Sequence, residues 1–308
     1  MNMKKENSSP HIINSISEQH YLMGLPKPQH PLIGVYRFED IRYQNVVFAE
    51  PFVMNFYCIA IKKNFKGKLK YGQQYYDFDE GVMSFISPNQ LLAIEGDESL
   101  AREGSCLVFH PDFIARHPLA KKIKSYGFFS YSLHEALHLS DKEVTMMEGI
   151  IKNIESEYHS AIDLFSQEII IPQIELLLAY SNRFYQRQFI TRSSANHDLL
   201  ISLEDLLSDY FNSNKVKEFG LPTVQYIAGS LNVSPNYLSD MLRTLTGQNT
   251  QQHIHVKLIE KAKEILSTTS LSVSEIAYQL GFEYPQSFNK LFKNKTNVSP
   301  LSFRNSMN

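Results

Sequence analysis

Few residues in this chain are spaced for catalysis. His134-Glu135-Ala136-Leu137-His138 has the form HExxH, which on a helix sets two imidazoles on one face for zinc with the carboxylate as base. Leu139-Ser140 follows at once and reads as a new helix start, so the pentapeptide is expected to be a surface loop. Glu157 or His159 could be offered as a third ligand, but no pattern singles either out. His253 and His255 are i,i+2, and on a helix such rings point apart. His110 falls on a strand pattern, with no HxH followed by Glu and His beside it. Cys58 and Cys106 are the only cysteines and lie far apart, which gives no disulfide framework, no CxxC and no cysteine-rich zinc site. There is no GxSxG and no GxxxxGK[ST], so neither catalysis, metal nor cofactor is expected.

A second set of polar residues suits recognition. Asn236, Ser239, Asp240 and Arg243 fall between apolar Tyr237, Leu238, Met241 and Leu242, and Pro285, Gln286, Ser287, Asn289 and Lys290 fall around Phe288, Leu291 and Phe292. Asn can bond adenine N6/N7, Arg guanine O6/N7, and Asp can accept from cytosine N4. Asp240 would be repelled by phosphate, so it must meet a base edge or turn away.

These residues sit on a pattern that occurs twice between Leu221 and Arg304. The first copy runs Thr223, Ile227, Ala228, Leu231, Val233, Ser234, Tyr237, Leu238, Met241, Leu242, and the second Ser272, Ile276, Ala277, Leu280, Phe282, Phe288, Leu291, Phe292. Each reads as a short helix, a tight turn and a second helix. Ala228 and Ala277 are small enough for the second helix to cross the first. Asn232 and Gly281 tolerate the positive φ of the turn, while Val233 and Phe282 plug the angle between the helices. Ser234-Pro235 is a helix start with an N-cap and a proline at the first position, and Ser272-Val273-Ser274-Glu275 has the form of a capping box. Between the copies, Gln251 to Leu266 carries an apolar stripe of Ile254, Leu258, Ala262 and Ile265 and reads as a connecting helix.

Leu221 to Arg304 resembles the tandem helix-turn-helix domain of AraC/XylS-type bacterial transcription regulators. Closest to that signature are Ile276-Ala277-Tyr278-Gln279-Leu280-Gly281-Phe282, then Ser287-Phe288-Asn289-Lys290-Leu291-Phe292-Lys293, then Ser299-Pro300-Leu301-Ser302-Phe303-Arg304. Two positions depart from it: Asn297 stands where Gly is usual, and Leu258 where Arg is frequent. The resemblance implies a sequence-specific regulator, an activator, bound to double-stranded promoter DNA at two successive major grooves and contacting RNA polymerase. It places Gln286, Ser287 and Lys290 where family members touch DNA. Ser234, Lys293, Lys295 and Arg304 are the expected phosphate contacts, which position without reading sequence.

Composition agrees with a globular protein of more than one domain: 308 residues, 43% hydrophobic and 20% charged. The net charge of −2 hides an asymmetry. From Leu221 onward eight bases face five acids, a surplus of +3, and no acid follows Glu283. That is a modest footprint for a polyanionic partner. The start has no apolar stretch of a secretory leader, and no window approaches a membrane span, so a cytoplasmic protein without membrane contact is expected.

Residues 1–25 are expected to be a disordered N-terminal segment. Over 26–135 the period is two: Phe52 to Ile61 suits a strand covered on both faces, Lys68 to Tyr71 alternates more openly, Asp79-Glu80-Gly81 is a turn, and Val82 to Ile86, Leu91 to Ile94 and Ser105 to His110 are further strands. Such strands suggest a sandwich or jelly roll, and the family resemblance favours a cupin-like β-barrel that senses a small-molecule effector. A metal-dependent cupin or HExxH hydrolase on this half is the alternative. Over 140–212 the pattern turns helical, opening on the capping-box sequence Ser140 to Glu143, with a helix from about Ile162 to Arg183 that Pro172 should kink or interrupt, and another from Asp198 to Phe211. These helices serve a homodimer or pack on their own barrel. Asn212-Ser213-Asn214-Lys215 reads as the linker to a DNA-binding domain over 213–308. The fold class is therefore α+β multidomain: a cupin-like jelly roll, a helical middle segment and an all-α tandem helix-turn-helix domain.

Overall fold

The computed structural model describes residues 10–42, 51–63, 65–71, 74–78, 81–92, 103–132, 135–160, 166–191 and 193–307. The chain forms two compact units, Met1–Gln188 and Phe189–Asn308. The first carries the strands β1 (His11–Ile13), β2 (Ile33–Arg37), β3 (Phe52–Met54), β4 (Tyr57–Lys63), β5 (Phe65–Tyr71), β6 (Gln74–Phe78), β7 (Gly81–Ile86), β8 (Gln90–Leu92), β9 (Glu103–Phe109) and β10 (Leu137–Leu139). Its helices are α1 (Ile16–Leu22), α2 (Pro111–Ile114), α3 (Leu119–Lys122) and α4 (Asp141–Tyr158), with most of α5 (Ser166–Thr191).

The central sheet runs β10-β7-β4-β9-β2, all antiparallel, and its alternation explains why the strands read as apolar throughout. Cys58 and Ala60 of β4, Cys106 and Val108 of β9 and Tyr36 of β2 join a cluster with Ile13, Ile16, Phe52, Met54, Phe56 and Leu92. Their alternates Ile59, Ile61, Leu107 and Phe109 are also fully buried. The smaller sheet β1-β3-β8 and α1 supply the rest of that cluster, and β5 and β6 form a separate hairpin. This is the mixed, sheet-rich first half that period two implied.

Several expectations change here. Of the segment read as disordered over 1–25, the described residues 10–25 are structured: β1 pairs in parallel with β3, and α1 starts on Ser15, whose hydroxyl accepts from Glu18 N at 3.1 Å. Ile13 and Ile16 are fully buried, and their apolar contacts hold a segment whose polar flanks looked unstructured. The single strand expected over Phe52–Ile61 is two, because the chain passes from the small sheet to the central one at Asn55-Phe56. A turn at Pro88-Asn89 leads into β8, with Asn89 at φ 65°. Asp79-Glu80, Ala93-Ile94 and His134 lie outside the described residues.

The HExxH stretch is not a surface loop where it is described. Glu135 and Ala136 are buried, and Leu137–Leu139 pair with β7 as an edge strand. Gln188 secures it, accepting from His138 N at 2.8 Å and donating to Ala136 O at 3.2 Å. His110 follows β9 and caps α2, its Nδ1 accepting from Asp112 N at 3.2 Å.

α4 begins at the expected capping box and packs on β2, β9 and β10 of its own unit. A Cβ on Gly81 would lie 2.1 Å from Val144 Cγ2, so glycine is what lets helix and sheet approach. Arg37 and Glu155, 2.9 Å apart, add an ion pair at this contact. α5 runs through Pro172 without interruption, longer at its C-terminal end than expected. The unit boundary falls inside it, at Gln188/Phe189. α6 (Ser193–Asn212) belongs with the second unit, since Leu203, Leu207, Tyr210 and Phe211 are buried there and α6 packs against a later helix, Thr250–Thr268. The linker expected at 212–215 is thus a turn within that unit, leading to α7 (Lys215–Phe219). Among the described residues no helix is long and apolar enough to cross a membrane.

Candidate nucleic-acid interface

The second unit continues with α8 (Val224–Ser230), α9 (Pro235–Thr246), α10 (Thr250–Thr268), α11 (Val273–Gln279), α12 (Pro285–Thr296) and α13 (Pro300–Met307). Both sequence repeats fold as expected and match at the level of single bonds. After α8, Val233 N donates to Ala228 O at 3.0 Å, and after α11, Phe282 N donates to Ala277 O at 3.0 Å. Asn232 and Gly281 take the positive φ of these turns, 55° and 78°. Ile227, Ala228, Ile276 and Ala277 have no exposure, which fits small and branched residues at a helix crossing.

The helix starts follow the local signals. Ser234 caps α9 by accepting from Tyr237 N at 3.3 Å. Ser272 and Glu275 close a reciprocal box on α11, and the bonds from Ser272 hold the Glu275 carboxyl below its ordinary pKa. α12 has Tyr284 at its N-cap, with no side-chain cap, and Pro285 at its first position. Its core is aromatic: Phe282, Phe288, Phe292 and Phe303 form a chain of ring contacts at 5.5–5.7 Å. Asn297 ends α12 in the left-handed conformation at φ 63°, as Gly247 ends α9 at 74°. Asparagine thus does at 297 what glycine does elsewhere.

α10 is capped by an Asn249/Gln252 box and buries Ile254, Leu258, Ile259, Ala262 and Leu266, with Ile265 only half-buried. The Arg-to-Leu departure at 258 is an apolar core position, fully buried. His253 Nε2 lies 2.9 Å from Thr246 Oγ1 and His255 Nε2 3.0 Å from Gln251 Nε2, so the two rings do have separate partners. Among the described residues no group of three or more His, Cys, Asp or Glu could hold a metal ion. Cys58 and Cys106 are buried free thiols 3.1 Å apart; the bond between them, and then burial, push the Cys58 thiol up, away from the thiolate a nucleophile needs.

The expected interface residues divide into three groups. On α12, Gln286, Ser287, Asn289, Lys290, Lys293 and Lys295 are exposed and Pro285 half-exposed, as drawn from the period; so is Asn294, one turn beyond Lys290, which the same period could have supplied. On α9, Asn236 and Arg243 are exposed. The remainder are engaged elsewhere. Ser239 is half-buried, its hydroxyl 2.9 Å from that of fully buried Thr250, so it ties α9 to α10. Asp240 accepts from Arg243 Nη1 at 2.6 Å. Arg304 is half-buried and donates from Nε to Leu266 O at 3.2 Å, on the last turn of α10, where a cation suits the helix dipole. The Ser234 hydroxyl serves its cap.

Two helix-turn-helix units joined by one helix, each with a polar second helix, define a duplicated DNA-binding module. A family of helix-turn-helix domains matches residues 227–306. Over 139 residues the chain is 30% identical to the HTH-type transcriptional activator RhaS of Escherichia coli, in strains E24377A and K12 / DH10B, and the match covers 45% of each chain. It is also similar to the C-terminal domain of AraT, a response regulator from Geobacillus stearothermophilus, with 29% identity, a TM-score of 0.31 and coverage of 35% of this chain and 84% of that one. A further match is the C-terminal domain of the response regulator yesN from Fusobacterium nucleatum, with 32% identity, a TM-score of 0.28 and coverage of 33% and 96%. Residues 227–306 therefore form a helix-turn-helix domain. The chain spans about half the length of the curated relatives it matches, 45%.

Proposed function

We propose that this protein is a sequence-specific transcription regulator, an activator, that binds promoter DNA with α9 and α12 in successive major grooves. What carries the reading is the duplicated turn, with an exposed polar second helix in each copy and α10 between them. Nineteen residues of α10 span roughly 28 Å at about 1.5 Å each, against roughly 34 Å for one turn of duplex. Asn236 and Arg243 of the first copy and Gln286, Ser287 and Lys290 of the second are the base-reading candidates, with Lys293 and Lys295 toward phosphate. RhaS, to which the chain is similar, is a transcriptional activator by name, which supports the sign of regulation. In this reading the sheet-rich unit is a cupin-like sensor for a small-molecule effector, and RNA polymerase and a second copy of the chain are the protein partners.

The test is a titration of the full chain against promoter DNA from its own genomic neighbourhood and against random duplex. Preference for the former by tenfold or more supports the reading, since specific sites usually exceed random ones by at least about 10³. Equal affinity rejects it.

A further inference from the structure

A carboxylate on the exposed side of a helix offered to DNA faces a polyanion, so Asp240 calls for a reason. It is turned onto Arg243: Nη1 lies 2.6 Å from Oδ1, with the Asp240 side chain 25% exposed and that of Arg243 56% exposed. We propose that Asp240 is a positioning residue that holds the Arg243 guanidinium for bidentate recognition of a guanine in the first half-site and does not itself contact a base. The inference rests on the DNA-reading function proposed above.

The chemistry is sufficient. A guanidinium has five N–H donors, and guanine O6 and N7 need two, so the hydrogen given to Asp240 leaves the fork able to bind. An arginine held in place loses less side-chain freedom on binding than a free one. Neutralising the carboxylate through Arg243 also lessens its repulsion from the nearest phosphates. α12 has no acid among its residues, and Lys290, Lys293 and Lys295 make it uniformly basic. The two copies therefore divide the work: the first reads through a held fork, the second supplies more of the attraction to the backbone. An i,i+3 pair could instead serve only the helix, by a few tenths of a kcal/mol, and the experiment separates the two roles.

The full chain, with Asp240→Ala, Asp240→Asn and Arg243→Ala, is put through selection from a randomised duplex library followed by sequencing. In the unaltered chain a guanine position is expected that Arg243→Ala loses. Asp240→Ala should weaken preference at that same position roughly tenfold, while affinity for random duplex rises at low salt because a negative charge has gone. Asp240→Asn, which still offers an oxygen, should keep part of the guanine preference, and all three variants should melt near the unaltered chain. Unchanged preference in Asp240→Ala overturns the positioning role while leaving DNA reading intact. So does loss at a cytosine position independent of Arg243, or an Arg243→Ala profile identical to that of the unaltered chain. Failure of the unaltered chain to enrich any motif would overturn the DNA-reading function, and the positioning role with it.

Discussion

Gly281 meets Gly220 backbone to backbone: a Cβ on Gly281 would lie 2.9 Å from Gly220 Cα and 3.0 Å from Val216 O. The second turn therefore needs glycine twice over, for its φ of 78° and for the space. Gly281→Ala should cost about 3 kcal/mol, from left-handed strain and overpacking together. In the first turn, where asparagine already fits, Asn232→Gly should stay within about 1 kcal/mol. Chemical denaturation of the two variants checks the contrast, and equal losses would mean that the close approach has no energetic weight.

Lys293 and Lys295 are exposed on α12. Each change to alanine should lower the slope of log affinity against log salt by about 1 and weaken all sequences alike, if each meets one phosphate. Fluorescence anisotropy titrations across a salt series measure it, and an unaltered slope removes that lysine from the interface.

Arg304 should behave differently. Its Nε bonds the end of α10, so Arg304→Ala should lower stability by about 1 kcal/mol and leave the salt slope unchanged. A reduced slope with unchanged stability would restore it to phosphate binding.

Burial lowers the pKa of His20 below the ordinary 6.5, and the 2.7 Å bond from Nδ1 to Pro26 O only partly opposes this. The unfolded chain takes up the proton near 6.5, the folded one only at lower pH. Stability should thus be full above about pH 6.5 and fall as pH drops through that value. His30, His253 and His255 are shifted in the same direction by burial. His20→Gln should flatten the decline by up to about one proton, read from melting temperatures across that range. An unchanged pH profile would show that the ring is no more burdened by protonation folded than unfolded.

What the sequence made legible was local. Caps at Ser140, Ser234 and Ser272, the bends at Asn232, Gly281 and Asn297, and the apolar stripe of α10 each depend on neighbours within a few residues. What it hid depends on elements that meet only in space. Nothing near Ser239 signals Thr250 across a helix end, and nothing near Arg304 signals Leu266 thirty-eight residues earlier. A period of 3.6 marks both side chains as polar positions, and polar positions can serve DNA or a neighbouring helix equally. For β1 the same limit applied: three residues are too few for a period, and their partner is β3.

That parallel pairing bears on how the protein can be handled. A chain shortened to begin at Pro26 would strip β3 of the bonds from His11 N to Pro51 O and from Asn55 N to Ile13 O, and bare Phe52 and Met54. An unprotected strand edge beside apolar side chains is a template for other chains. Shortened material should therefore come out of solution as clumps where the intact chain stays dispersed, and the stretch of β1 and α1 acts as a built-in guard against self-adhesion.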